Sequence, residues 1–248
     1  MTELVHLSVA DDVATITLDS ERNRNALSKQ LVGELAAHLV TAGDDPAARA
    51  VLVRSAGTVF CSGADLSEAA SGGMVEGAKA LIALQRQIAT ASKPVVVELG
   101  GPVRAGGLAI VGAADVVIAA ESVTFALTEV RLALAPAVIS VSLLPRFTDR
   151  AAADLFLTAR TFDAVEAVRV GLATRAVPDA ELQAEVARSL GDLVKGYPQG
   201  LRETKKLLNR DLVARIDSFG DELAALSGEL FGSDEARAAM TAFLDRKK

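Results

Sequence analysis

Very little in these 248 residues suits metal or thiol chemistry: there is one cysteine, two histidines, one tyrosine and no tryptophan. A single cysteine excludes an intramolecular disulfide and makes a reducing compartment the natural home, so a cytoplasmic location is expected. His6 and His38 lie far apart without the spacing of a zinc ligand set, and a structural role is expected of both. Cys61 has no evident base beside it in sequence and reads as a small buried hydrophobe rather than a nucleophile. Long apolar runs are missing too. Uncharged stretches such as Leu132 to Pro145 are too short to span a bilayer and contain prolines. The opening residues, MTELVHLSVADD, carry acids where a secretion signal has a basic region and an apolar run. Basic clusters are also absent. The 26 Lys and Arg are scattered among 32 Asp and Glu, for a net charge of −6. Nucleic acid and anionic membrane are therefore excluded as main partners, since both need a basic surface.

What the chain has in quantity is apolar residues, 50% of the total. That suffices for a sizeable core in one domain, or one domain with a smaller appendage. Residues 3–9 and 13–18 read as strands, the second alternating Ala14, Ile16 and Leu18 against Thr15 and Thr17, with Asp11-Asp12 at the turn. Ser28 caps a helix to about 41 that aligns Leu31, Leu35 and Leu39. AVLVRS (50–55), PVVVEL (94–99) and VVIAA (116–120) are apolar strands, separated by a helix over 75–91 and a short one over 106–113. The repeating order predicts an α/β core of stacked ββα units. Beyond about 148 the pattern is helix upon helix. Asp163 with Glu166 suggests a capping box, Gly171 a stop, and breaks fall at Tyr197-Pro198 and Gly232-Ser233. This tail reads as a helical appendage, suited to self-association.

Two small-residue loops follow apolar strands and open helices: Cys61-Ser62-Gly63-Ala64-Asp65 and Ala105-Gly106-Gly107. The first amides of a helix lack internal partners, so two converging loops of this kind can form an oxyanion hole. The same glycines are equally suited to close helix–strand packing. A phosphate loop is excluded. Gly101 to Gly106 has the spacing, but Gly107 and Leu108 occupy the places of Lys and Ser or Thr. No G-x-S-x-G elbow is present either. Glu129 sits in the apolar stretch TFALTEVRLALAP (124–136), where it can act as a general acid or base, or pair with Arg131.

The segments NRNALS (23–28), VLVRSAGTVFCSGADLSE (51–68), KPVVVELGGPVRAGGLAIVGAADVVIAA (93–120), TFALTEVRLALAP (124–136) and MTAFLDRKK (240–248), in this order, resemble the enoyl-CoA hydratase/isomerase (crotonase) family. The resemblance implies a crotonase-like spiral of ββα units over 1–190 and a C-terminal helical trimerisation region over 191–248, often assembled as a hexamer. It implies an acyl-CoA substrate, with coenzyme A as part of the thioester and no separate cofactor. The thioester oxygen would be held by the amides of Ala64 and Gly106. Ala26 and Leu66 would meet the CoA adenine, Arg22 and Arg24 its phosphates, and Asp65 belongs to the same CoA-binding segment. Phe243 and Arg246 match C-terminal positions that reach CoA, often from a neighbouring subunit. Gly107 and Ala109 would border the acyl pocket.

Two departures bear on mechanism. Of the family's two hydratase glutamates, the first position holds Ala109 and the second Glu129. PAVIS (136–140) replaces a glycine-rich turn. One carboxylate suffices to carry a proton between carbons and move a double bond, whereas hydration also needs a positioned water. Isomerisation is the favoured expectation. A hydratase with an unidentified water anchor and a catalytically silent acyl-CoA-binding protein are the alternatives. Glu98 is a conceivable substitute base, with a structural role the more ordinary reading.

Overall fold

The computed structural model describes residues 2–69 and 73–245. A hairpin of β1 (Val5–Ala10) and β2 (Val13–Leu18) turns on Asp11 and Asp12, both at positive φ. After a 3-10 turn at Glu21–Asn23 comes α1 (Lys29–Asp44), which starts at Ser28 as expected; its hydroxyl accepts from Leu31 N at 3.2 Å. β3 (Ala50–Ser55), α2 (Leu66–Ala69) and α3 (Met74–Thr90) follow. Next are β4 (Val95–Leu99), β5 (Val103–Arg104), a 3-10 turn (Ala105–Gly107) and α4 (Leu108–Ala113). Then come β6 (Val116–Ala120), β7 (Thr124–Ala126), a 3-10 turn (Glu129–Leu132) and α5 (Ala137–Leu143).

Six strands form one sheet in the order β1-β2-β3-β4-β6-β9, parallel except for the opening hairpin. Its interior strand β4 is buried along its whole length, which is why VVVEL reads as continuous rather than alternating. A second layer pairs β5 with β7 and β7 with β8, and single bridges Leu27–Ala64 and Cys61–Val103 extend it. Each turn of the chain thus sends one strand to the large sheet and one short segment to the small one before a helix returns. That is the stacked ββα order expected from the sequence.

The C-terminal half holds α6 (Asp149–Thr158), β8 (Phe162–Asp163), α7 (Ala164–Arg169), β9 (Arg175–Val177), a 3-10 turn (Asp179–Glu181), α8 (Leu182–Leu193), α9 (Pro198–Gly232) and α10 (Asp234–Asp245). The expectation of helix upon helix after 148 is corrected by β8 and β9, which at two and three residues are too short to show a period of two. Only half of the capping box forms. Asp163 accepts from Glu166 N at 2.7 Å, while the Glu166 carboxylate turns to Arg160 at 2.7 Å. The breaks at Tyr197 and Ser233 fall where expected, as the caps of α9. Far from a loose appendage, α9 packs on α3 and α5 through Ala78, Ile82, Val138, Val141, Leu212, Ile216 and Ala224. Gly220 permits this approach, since a Cβ there would lie 2.7 Å from Ile82 Cγ2. No helix among the described residues is long and apolar enough to cross a membrane.

Candidate active site

The loop after β3 is stitched from both sides. Leu27 N donates to Gly63 O at 2.8 Å, Ser62 N to Arg24 O at 3.1 Å, and Arg104 N to Cys61 O at 3.0 Å. Asn25 fixes the neighbouring strand of this seam, its amide accepting from Ser20 N and donating to Val59 O. The chain can turn at Gly63 only because φ there is +100°, a region L side chains avoid. This leaves Ala64 N–H with no acceptor among the described residues.

The second loop meets the first. Gly106 is the second residue of its 3-10 turn, a position whose amide has no partner within the turn. A Cβ on Gly106 would sit 3.7 Å from Ala64 N, 3.1 Å from Leu27 Cδ1 and 3.5 Å from Leu81 Cδ2. The two amides are therefore neighbours, flanked by the apolar side chains of Leu27 and Leu81. Ala105, just before, is held at φ 45°, a strained backbone of the kind that collects at functional sites.

Glu129 opens the 3-10 turn after β7. Part of the residue reaches the surface, but its Oε2 is inaccessible and has no hydrogen-bond partner among the described residues. Burial pushes the carboxyl up from 4.5 to about 7, against a smaller opposing pull from its own backbone N–H. No ion pair joins it to Arg131 among the described residues, so the salt-bridge alternative fails.

One cleft of about 1210 Å³ joins these groups: Ala64, Gly106 and Glu129 all border it. Arg22, Arg24, Ala26 and Asp65 border it as well, and so does Phe243 of α10. Asp65 is tied into its loop. Burial raises its carboxyl, but hydrogen bonds from Ser67 and Asn23 outweigh that and hold it below the usual range. Leu66 begins α2 beside this rim, and Arg246 lies outside the described residues.

Two expectations are corrected. Gly107 and Ala109 do not border the cleft. A Cβ on Gly107 would meet Cys61 at 2.7 Å, so that glycine serves helix packing, as one of the two readings of the loop allowed. Ala109 is fully buried in α4, one turn before Gly112, which faces Ser142 and Leu143 of α5. Glu98 is buried on β4, with Oε1 accepting from Gln183 of α8 at 2.7 Å and Oε2 without a hydrogen-bond partner among the described residues, and it does not line the cleft. Leu27, Leu81 and Gln85 were not singled out from the sequence, and nothing local distinguishes them from ordinary core residues.

The pairing of amides and a buried carboxylate can now be set beside known proteins. The sequence profile of enoyl-CoA hydratase/isomerase matches residues 9–248. The structure is similar to that of an enoyl-CoA hydratase from Mycobacterium avium, with 42% identity, TM-score 0.92 and coverage of 99% of this chain and 98% of that one. In sequence it is 29% identical to a short-chain-enoyl-CoA hydratase of Clostridium acetobutylicum over 95% of this chain and 92% of the relative. It is 28% identical to a crotonyl-CoA hydratase of Syntrophomonas wolfei over 99% and 96%. With a match spanning almost its whole length and a fold in close agreement, the chain belongs to the enoyl-CoA hydratase/isomerase family.

Proposed function

We propose that this protein is an acyl-CoA-processing enzyme that stabilises a thioester enolate at the Ala64 and Gly106 amides and uses Glu129 alone to carry the proton. The favoured reaction moves a double bond from the 3 to the 2 position. Glu129 as carboxylate takes a proton from C2, and the electron pair spreads onto the thioester oxygen between the two amides. The protonated Glu129 then returns the proton at C4, leaving the double bond between C2 and C3. Each amide donor contributes roughly 3 kcal/mol to the enolate-like transition state. The single observation carrying this reading is the Glu129 carboxylate, its Oε2 inaccessible and without a hydrogen-bond partner among the described residues, in the same cleft as the paired amides. Its elevated proton affinity, about 7, suits a group that must both accept and return a proton near neutral pH.

In this reading Arg22 and Arg24 neutralise CoA phosphates at the rim, Ala26 and Leu66 approach the adenine, and Asp65 orders the rim loop. Phe243 and Arg246 close on CoA from the C-terminal side. The assembly is a homotrimer or hexamer. Hydration of a 2-enoyl-CoA is the second reading, favoured by the names of the relatives; it requires a water anchor other than Ala109 or Glu98. Ultraviolet absorbance at the enoyl thioester separates the two with paired substrates, 2-enoyl-CoA plus water against 3-enoyl-CoA. The isomerase reading expects turnover of the 3-enoyl substrate, reduced 10²–10⁴-fold in Glu129→Gln. Fast hydration without isomerisation would overturn it. Turnover unchanged by Glu129→Gln would remove Glu129 as the base, and binding of acyl-CoA without turnover of either substrate would leave only an acyl-CoA-binding protein.

A further inference from the structure

The cleft is chemically divided. Arg22, Arg24 and Lys29 border it where the chain enters α1, whereas Leu134, Val138 and Ile139 border it from the segment that opens α5. A carrier bearing phosphates belongs at the first end and a hydrocarbon at the second. The apolar wall is an unusual piece of chain. α5 is seven residues long, contains Val138, Ile139 and Val141, and starts at Pro136 with no side chain capping its amides. β-Branched residues and a missing cap make such a helix unstable by itself.

What holds it is Gln85, a fully buried side chain of α3. Its amide donates to Val138 O at 3.1 Å and Leu81 O at 3.2 Å, and its carbonyl accepts from Ser142 Oγ at 2.6 Å. The partners are thus Val138 of the wall, Ser142 one turn further along α5, and Leu81 of Gln85's own helix. A polar group this deep in a core is expensive unless satisfied, and here two of the three bonds cross from α3 to α5.

We propose that the Gln85–Ser142 pair is a positioning device that sets the acyl-chain length the cleft accepts, by holding the Val138–Ile139 wall rigidly against α3. The proposal rests on the acyl-CoA reading above, but not on whether the reaction is isomerisation or hydration. A rigid wall produces a break. Affinity climbs about fourfold for each methylene buried until the chain reaches the wall, and stops climbing beyond it. Unpinning α5 moves the break to longer chains.

The test is calorimetric titration of the full-length protein with saturated acyl-CoAs of increasing length. The wild type is compared with Gln85→Met, which keeps the volume and removes the bonds, and with the milder Ser142→Ala. The expected result is a break in the wild type that shifts by about two methylenes in Gln85→Met. This is an approximately fifteenfold gain for the chain two methylenes past the wild-type break. Ser142→Ala shifts it in the same direction by less, and carries the test if Gln85→Met does not fold. A lowered Tm with the break unmoved reduces Gln85 to a stability role and overturns the proposal, as does a wild-type series with no break. Failure to bind any acyl-CoA would instead sink the functional reading itself.

Discussion

At the scale of the residue, Glu129 links function to stability with opposite signs. Its unfolded-state value is near 4.5 and its folded value about 7. Between those pH values the unfolded chain has released the proton that the folded chain still holds, so stability falls as pH rises through this window. Above pH 7 the penalty for keeping a bare carboxylate in the cleft amounts to about 3 kcal/mol. Glu129→Gln removes it. Denaturant unfolding of the variant should therefore show a gain of up to about 3 kcal/mol at pH 8 and almost none at pH 4, while turnover collapses. In the wild type, the rate of proton removal should rise with pH to a plateau with a midpoint near 7. Equal stability of variant and wild type at pH 8 would show that the carboxylate is solvated and the proposed base ordinary. The trade is of a familiar kind: the proposed base is kept where folding alone would not put it.

At the scale of elements, the proposed single-carboxylate chemistry rests on α4. α4 turns Gly112 towards Ser142, and a Cβ at Gly112 would lie 2.7 Å from that hydroxyl. Ala109, on the same face of α4, is fully buried. A glutamate placed there would meet packed side chains instead of the cleft, leaving a carboxylate without partners. Ala109→Glu should then destabilise the fold by at least about 2 kcal/mol and should not confer hydration of a 2-enoyl-CoA. A hundredfold rise in hydration rate would show that the side chain reaches substrate after all. The sequence already carried much of this scale. Ser28, the alternation in β2 and the continuous β4 fixed their elements locally, through a cap, a period of two and burial on both sides. Glu129, Ala64 and Gly106 are legible in the sequence, although family resemblance rather than local chemistry raises the loops above tight packing. What could not be read were features made by tertiary approach. The short strands β5, β7, β8 and β9 lack length, and Gln85 looks like any helical glutamine until α5 is packed beside it.

For the whole molecule, α9 decides how the pieces cohere. Its inner side carries Lys205, only 4% exposed, whose ammonium lies 2.7 Å from Asp115 and donates to Ile88 O and Lys93 O. Asn209, one turn on, donates to Ala89 O and to the other oxygen of Asp115. Burial lowers the Lys205 ammonium's proton affinity, partly offset by Asp115, so the helix is fastened by a charge that depends on its partner. The same α9 supplies Ser227 and Phe231 to the cleft, so docking it completes both the core and the pocket. Its outer side differs. Leu207 and Leu208 are each 75% exposed, two large apolar side chains facing outward on a helix otherwise charged in this turn. A trimer or hexamer gives those leucines a place to go, burying roughly 1.5–3 kcal/mol of apolar side chain apiece. The double variant Leu207→Ser/Leu208→Ser leaves Lys205, Asn209 and Leu212 untouched on the inner side, so the fold should persist. Light scattering should then show a wild-type mass of three or six chains and a variant displaced towards the single chain, with thermal unfolding confirming that α9 is still docked. An unchanged multiple of the chain mass in the variant would move the interface elsewhere, and a monomeric wild type would remove self-association from the proposed function altogether.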